Sequence, residues 1–291
     1  MELIFLLEVF INGLLIGGIF ALFTLGLNVI YGVMEMINFA HGEFIMLGMY
    51  TAYWLFVLLG LHPLFSLVIV FPALFVAGAA FEGVVIERIV KSHIFIQTFV
   101  TFGLLLLLQN LALFFWSADY RALYTELEFP SIVLGNLHVS TPRLIGFIGS
   151  MIIVIIFHLF LTKTMVGTGI RAVDENPMAA ELMGINVKRM RMIAFGLGTG
   201  LAGAAGVFLS LFYYIYPSVG LVFLLLAFII VVLGGMGSFF GSLVGGMIIG
   251  ELYSLSALIV GPQWKETVAL IFFIIILLFK PTGIFGLGER K

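Results

Sequence analysis

Long apolar runs dominate the chain, most of them near the ~20 residues that a helix needs to cross a bilayer. They are Leu3–Ile30, Phe44–Leu61, Pro63–Ile86, Ile94–Trp116, Arg143–Thr162, Met192–Tyr216, Phe240–Val260 and Glu266–Phe279. A ninth run, Leu221–Leu233, is apolar but short, and reads either as a tilted span or as a half-helix. Of the 291 residues, 63% are hydrophobic and 10% charged, whereas soluble domains carry about 25% charged residues. No water-soluble core could hide that surplus, so a soluble enzyme, a nucleic-acid binder and a disordered chain are excluded. A net charge of −2 leaves no basic footprint for DNA or RNA. The sequence predicts an all-α polytopic membrane protein with about 8 transmembrane helices, or 9 segments if Leu221–Leu233 crosses. No linker divides residues 1–291, so a single domain is expected. The first run has no Lys or Arg before it and is too long for a signal peptide, so it is expected to stay in the membrane.

Cationic loops remain in the cytoplasm and orient such a chain. Arg88 and Lys91, then Lys163, Arg171, Lys188, Arg189 and Arg191, then Lys280, Arg290 and Lys291 fall on one side; Arg121, Arg143 and Lys265 fall on the other. The predicted topology has the N-terminus outside, the Tyr31–Glu43 turn inside, Ser117–Thr141 outside and Lys163–Arg191 inside. Asp119, Glu126 and Glu128 with Pro130 make the outer loop an external cap. An apolar helix, a polar or glycine turn and a small-residue helix occur at Leu14–Tyr50 and again at Phe223–Leu252, the pattern of a transporter repeat.

The segment 163–191 is the main polar stretch of the chain. Asn176 suits a helix N-cap and Pro177 the first turn. Gly184 sits where a left-handed residue would stop that helix, and Asn186 suits the cap of the next. This predicts a two-turn helix on the membrane surface, with small Ala179 and Ala180 leaving room for another surface. It reads either as a solvated connector or as a docking ledge for a soluble partner.

Ionisable groups at membrane depth are costly, about 2.5–3.5 kcal/mol at a helix centre on insertion scales. Glu35, His41 and Glu43 flank Asn38-Phe39-Ala40; too few ligands stand together for a metal, and a capped turn at a helix break is the plainer reading. Glu82 reads either as neutral and hydrogen-bonded between helices or as paired with Arg88, and Glu251 suits packing and pathway equally. Gly237, Gly241 and Gly245, with Gly246 and Gly250, form a small-residue face for close helix approach. Gly234-Gly235-Met236-Gly237-Ser238 is too rich in glycine for helix continuity and predicts a break lining buried protein or a watery cavity. With no Cys there is no disulfide or thiolate site, and no G-x-x-x-x-G-K-[ST] loop is present to hydrolyse ATP.

These motifs resemble a family. Gly169-Ile170-Arg171-Ala172-Val173, Asn176, Ala179-Ala180, Gly184-Ile185 and Ala194-Phe195 are similar to the cytoplasmic loop of Liv-type ABC importer permeases, which serve branched-chain amino acids and, in relatives, urea or amides. Tyr31-Gly32-Val33, Ile37–Glu43, Val232–Ser238 with Gly241, and Pro281–Gly286 resemble its other signatures, nearest to the H-type subunit. Leu226 stands before Ala227-Phe228 where the family often has lysine, so no lysine role carries over. The resemblance implies half of a translocation pathway, formed with a sister M-type permease. It also implies two cytoplasmic ATPases that hold ATP and Mg, an extracytoplasmic binding protein, and no cofactor or catalytic site on this chain. The location implied is a bacterial or archaeal cell membrane. ATPase coupling would fall to Arg171, Asp174, Glu175, Asn176, Ala179, Ala180 and Gly184. The pathway would fall to Asn38, His41, Glu43, Gly234, Gly235, Gly237 and Ser238. An ion-coupled carrier using Glu82 or Glu251 is the rival class, and an intramembrane enzyme using His41 and Glu43 a remoter one.

Overall fold

The computed structural model describes residues 2–90, 92–123, 132–134, 137–280 and 282–285. Lys91, Glu126, Glu128, Pro130, Pro281, Gly286, Arg290 and Lys291 lie outside the described residues. Eight helical stretches are long and apolar enough to cross a membrane, as the apolar runs predict. In chain order the helices are α1 (Glu2–Met34), α2 (His41–Leu59), α3 (Leu67–Phe81), α4 (Glu87–Ile89), α5 (Ile94–Trp116), α6 (Thr141–Lys163), α7 (Met165–Glu175), α8 (Pro177–Leu182), α9 (Val187–Leu209), α10 (Val219–Gly234), α11 (Phe239–Ile259) and α12 (Lys265–Phe279). A π-helical turn, Glu82–Ile86, joins α3 to α4. The one sheet among the described residues is a small antiparallel hairpin, Ile132–Leu134 with Leu137–Val139.

The core forms around α9, which is buried along most of its length. Its glycines explain this, because they let neighbouring backbones approach. A Cβ on Gly198 would stand 2.5 Å from the Gly26 carbonyl of α1, and one on Gly196 would stand 2.8 Å from the Phe75 carbonyl of α3. Helices α1 and α11 meet along a second seam of small residues: Gly13 and Gly17 face Met247, Gly250 and Glu251, and Ala21 faces Gly246. The predicted small-residue face is therefore used inside the chain. Gly241 belongs to a different contact, with Gly234 of α10. Helices α5 and α12 lie at the edge; most apolar side chains of α5 face outward, while α12 packs Leu270, Phe272, Phe273 and Ile276 against the core.

Two elements depart from the sequence reading. The run Met192–Tyr216 is a helix only to Leu209; the helix begins at Val187, after the Asn186 cap that the sequence predicts. Beyond Leu209 the chain is non-helical, and Ile215 pairs with Arg121 in an isolated antiparallel bridge. Helix α10 follows, with 16 residues, or roughly 24 Å. It runs from contact with the start of α2 to the end of the bundle that holds α7 and α8, while its neighbours α9 and α11 run the other way. Leu221–Leu233 is thus a short ninth segment entered through a non-helical lead.

The second departure is depth. The chain turns at the mouth of α1, but α2 does not begin there. His41, the first residue of α2, bonds through Nε2 to the Phe23 carbonyl at 2.8 Å. Phe23 lies about three turns before Met34, or roughly 16 Å back along α1. Residues 35–40 therefore climb back beside α1 before α2 begins.

Candidate functional site

At one end of the bundle the segment 163–191 folds onto the transmembrane helices. Thr164 caps α7 by accepting from Gly167 N–H at 3.0 Å. Asn176 caps α8 by accepting from Ala179 N–H at 3.0 Å, and Asn186 caps α9 by accepting from Arg189 N–H at 2.9 Å. Gly184 has φ +83°, the left-handed conformation that stops α8. The predicted helix with its two asparagine caps is present. Its faces differ from expectation in one respect. Ala180 is only 4% exposed and packs into the core, whereas Met178, Ala179, Leu182 and Met183 face outward. The surface open to a partner is therefore one alanine and three large apolar side chains rather than both alanines. Glu175 and Asn176 are also exposed.

Helix α7 anchors this ledge to α1. Gly32 lies against Asp174, and a Cβ there would stand 3.0 Å from Asp174 Oδ1. Arg171 donates from Nε to the Leu161 carbonyl near the end of α6 at 3.0 Å. Helix α9 carries the ledge in the other direction. Lys188 pairs with Glu87 at 3.7 Å, beside the π-helical turn. Glu82 begins that turn, fully buried, and neither of its oxygens has a hydrogen-bond partner. Neither reading of Glu82 is realised: it faces inward toward α9 without a hydrogen bond, while Arg88 is exposed.

The predicted glycine break is present between α10 and α11. Gly235 and Gly237 have φ of +100° and +82°, which side chains resist. Ser238 caps α11 by accepting from Gly241 N–H at 3.0 Å. One side chain of α1 holds this turn. Asn28 donates to the Ser238 carbonyl and to Ser242 Oγ, both at 2.7 Å, and accepts from Gly237 N–H. From the tail, Ile284 N–H donates to the Leu233 carbonyl and Phe285 N–H to that of Gly234. Asn28 was missed by the sequence reading, although a lone amide inside an apolar helix is a legible sign of interhelical bonding.

Asn38, His41 and Glu43 lie at the other break. All three are fully buried in this chain. Asn38 Oδ1 accepts from Ala40 N–H at 3.1 Å, and Thr101 of α5 bonds to both Ile37 and Phe39 backbones. Glu43 faces Gly220 in the first turn of α10: a Cβ on Gly220 would stand 2.7 Å from its carboxylate. Its oxygens, with Asn38 Nδ2 and His41 Nδ1, have no hydrogen-bond partner. Both breaks have the same plan of helix, non-helical turn and helix. The Gly42 and Gly220 backbones touch at the starts of α2 and α10. Glu251, in contrast, fills the space over Gly13 within the α1–α11 seam, a packing position.

The opposite end holds a cluster that the sequence reading left unassigned. Arg143 donates to Asn12 Oδ1 at 3.0 Å and lies over the Phe212 ring. Lys265 lies over Tyr213 and Tyr253, and Tyr253 donates to Glu266 at 2.8 Å. The charges on these helices are spread through the sequence, so spacing gave no sign that they meet.

Residues 9–277 match the family described as branched-chain amino acid transport system, permease component. The chain belongs to that family. It is 32% identical to the high-affinity branched-chain amino acid transport system permease protein BraD of Pseudomonas aeruginosa, covering 99% of this chain and 98% of that one. It is 30% identical to LivH of Escherichia coli K12, a permease protein of the same description, with the same coverage. A probable LivH of Methanocaldococcus jannaschii is 28% identical over 96% of this chain and 92% of its own. No solved structure matches. The chain is thus a multi-pass membrane permease of an ABC transport family, which sets aside the ion-coupled carrier and the intramembrane enzyme.

Proposed function

We propose that this permease imports aliphatic, branched-chain amino acids, forming half of the translocation pathway with a second permease, most simply a sister M-type chain. Two cytoplasmic ATPases bind ATP and Mg and supply the energy; an extracytoplasmic binding protein delivers the substrate. The chain itself binds no cofactor and performs no chemistry on the substrate. The observation that carries this reading is mechanical. The ledge α7–α8 is joined through Asp174 and Gly32 to the same stretch of α1 whose Asn28 clamps the α10–α11 break. A push on the exposed apolar face of α8 can therefore reach the glycine turn without passing through solvent. Arg171, Asp174, Glu175, Asn176, Ala179 and Gly184 shape and anchor that ledge, and Ala180 packs it down.

A zwitterionic substrate with an aliphatic side chain needs few fixed charges along its path, because its own charges balance. Gly234, Gly235, Gly237 and Ser238 form the deformable element, and Asn38, His41 and Glu43 support the matching break beside it. The test is affinity purification of the tagged chain in mild detergent. A second permease and nucleotide-binding subunits should accompany it, and ATP turnover of the assembly should rise when the loaded binding protein is added. Recovery of a lone chain that moves leucine under an ion gradient alone would reject the reading.

A further inference from the structure

A cleft of about 140 Å³ opens between α1, α6, α7 and the α10–α11 turn, at the end of the bundle assigned to the cytoplasm. That is room for several water molecules and for a small branched side chain. Its apolar walls are Leu25, Val29, Leu161, Ile170 and Phe239. Three polar side chains border it: Asn28, Arg171 and Asp174. Arg171 is exposed at the rim, and its Nε bond to Leu161 holds the guanidinium across the end of α6. Asp174, one turn further along α7, reaches α1 because Gly32 has no side chain to exclude it.

A cationic and an anionic group one helical turn apart, above an aliphatic chamber, match a free amino acid: carboxylate to Arg171, ammonium to Asp174, side chain inward. We propose that this cleft is a cytoplasmic regulatory site for free branched-chain amino acid, through which accumulated substrate slows its own import. The site connects the two moving parts. Arg171 and Asp174 belong to the ledge, while Asn28 and Gly237, also on the cleft, belong to the clamped break. A ligand bridging α7 to α1 and α11 favours the arrangement in which the cleft is closed around it, and so opposes the cycle that must separate them. The inference rests on the substrate reading above.

The test uses the whole importer, with its partner permease and ATPases, in vesicles, with the binding protein outside and leucine sealed inside or omitted. Internal leucine should lower the initial uptake rate several-fold. Internal isoamylamine, which is leucine without its carboxylate, and 4-methylpentanoate, which is leucine without its ammonium, should not. Val29→Phe, which fills the chamber, should keep the uptake rate of empty vesicles and lose the inhibition. Equilibrium binding of labelled leucine to the detergent-solubilised complex without binding protein gives a second readout, which Asp174→Asn should abolish; it decides the matter if Val29→Phe does not assemble. The proposal is overturned if internal leucine has no effect or if Val29→Phe is inhibited equally. It is also overturned if Val29→Phe abolishes uptake from empty vesicles, which would place the cleft on the conduction route, or if Asp174→Asn still binds leucine. Failure of any leucine uptake by the unmodified complex would instead refute the transport reading.

Discussion

Gly250→Ala should damage folding, while Gly103→Ala, an identical change in another transmembrane helix, should not. A Cβ on Gly250 would lie 2.4 Å from Gly17 Cα and 2.5 Å from both the Gly13 carbonyl and Gly17 N. All three are backbone atoms, so none can swing aside. Ordinary carbon contacts lie near 3.5–4.0 Å, so α1 and α11 would have to part by about 1 Å. If the seam comprises about 40 atom pairs at ~0.15 kcal/mol each, losing about a third of that attraction costs about 2 kcal/mol. That agrees with the ~1–3 kcal/mol of overpacked cores and lowers the folded-to-unfolded ratio by up to about thirty-fold. Gly103 has no atom within 4 Å of its would-be Cβ, and alanine there should gain roughly 0.5–1 kcal/mol of helix propensity. Monodisperse protein after mild-detergent extraction and its melting temperature provide the assay. Equal behaviour of the two variants would refute the argument that glycine packing sets the α1–α11 distance.

Asn28→Leu should remove the partner of the Gly237 N–H and one of the bonds to the Ser238 carbonyl, which keeps Ser242 N–H, at about 0.5–1.5 kcal/mol per bond lost. It should lower transport more than assembly, read as uptake per purified complex; unchanged uptake would deny the clamp its role. Leu182→Arg adds charge to the outward face of α8 while keeping helix propensity. It should release the ATPases or uncouple hydrolysis from uptake without altering ligand affinity of the separate binding protein. Single cysteines at Lys188 and Asp119 of this Cys-free chain should label from opposite sides with an impermeant reagent; labelling from one side would contradict the topology.

Much of this arrangement was legible because it depends on local chemistry. Asn176, Asn186 and Gly184 act where backbone groups at helix ends need partners, and such needs are written in short spacings. The glycine break at 234–238 was equally local. What escaped depends on tertiary position. Ala180 looked like its neighbour Ala179 until the fold placed one inside and the other outside. Hydropathy alone would start α9 at Met192, because Lys188, Arg189 and Arg191 are charged, and only the Asn186 cap marks its true start at Val187. Hydropathy also carried it through Tyr216, although the backbone leaves the helix after Leu209 and pairs Ile215 with Arg121. The depth of His41 depends on a bond to Phe23, 18 residues earlier, and no pattern within the turn reports it. Gly13 belongs to no spaced motif singled out in the sequence, yet it sits in the tight seam against Glu251, whereas Gly103 faces open space and is the proper control.

On the proposed function, this chain conducts a branched-chain amino acid only when ATPases drive it and a binding protein feeds it. The direct measurement is labelled leucine uptake into vesicles containing the purified assembly. Uptake should require ATP on the ATPase side and binding protein on the opposite side, and should persist when proton and sodium gradients are collapsed. Uptake that ignores ATP and follows an ion gradient would contradict it.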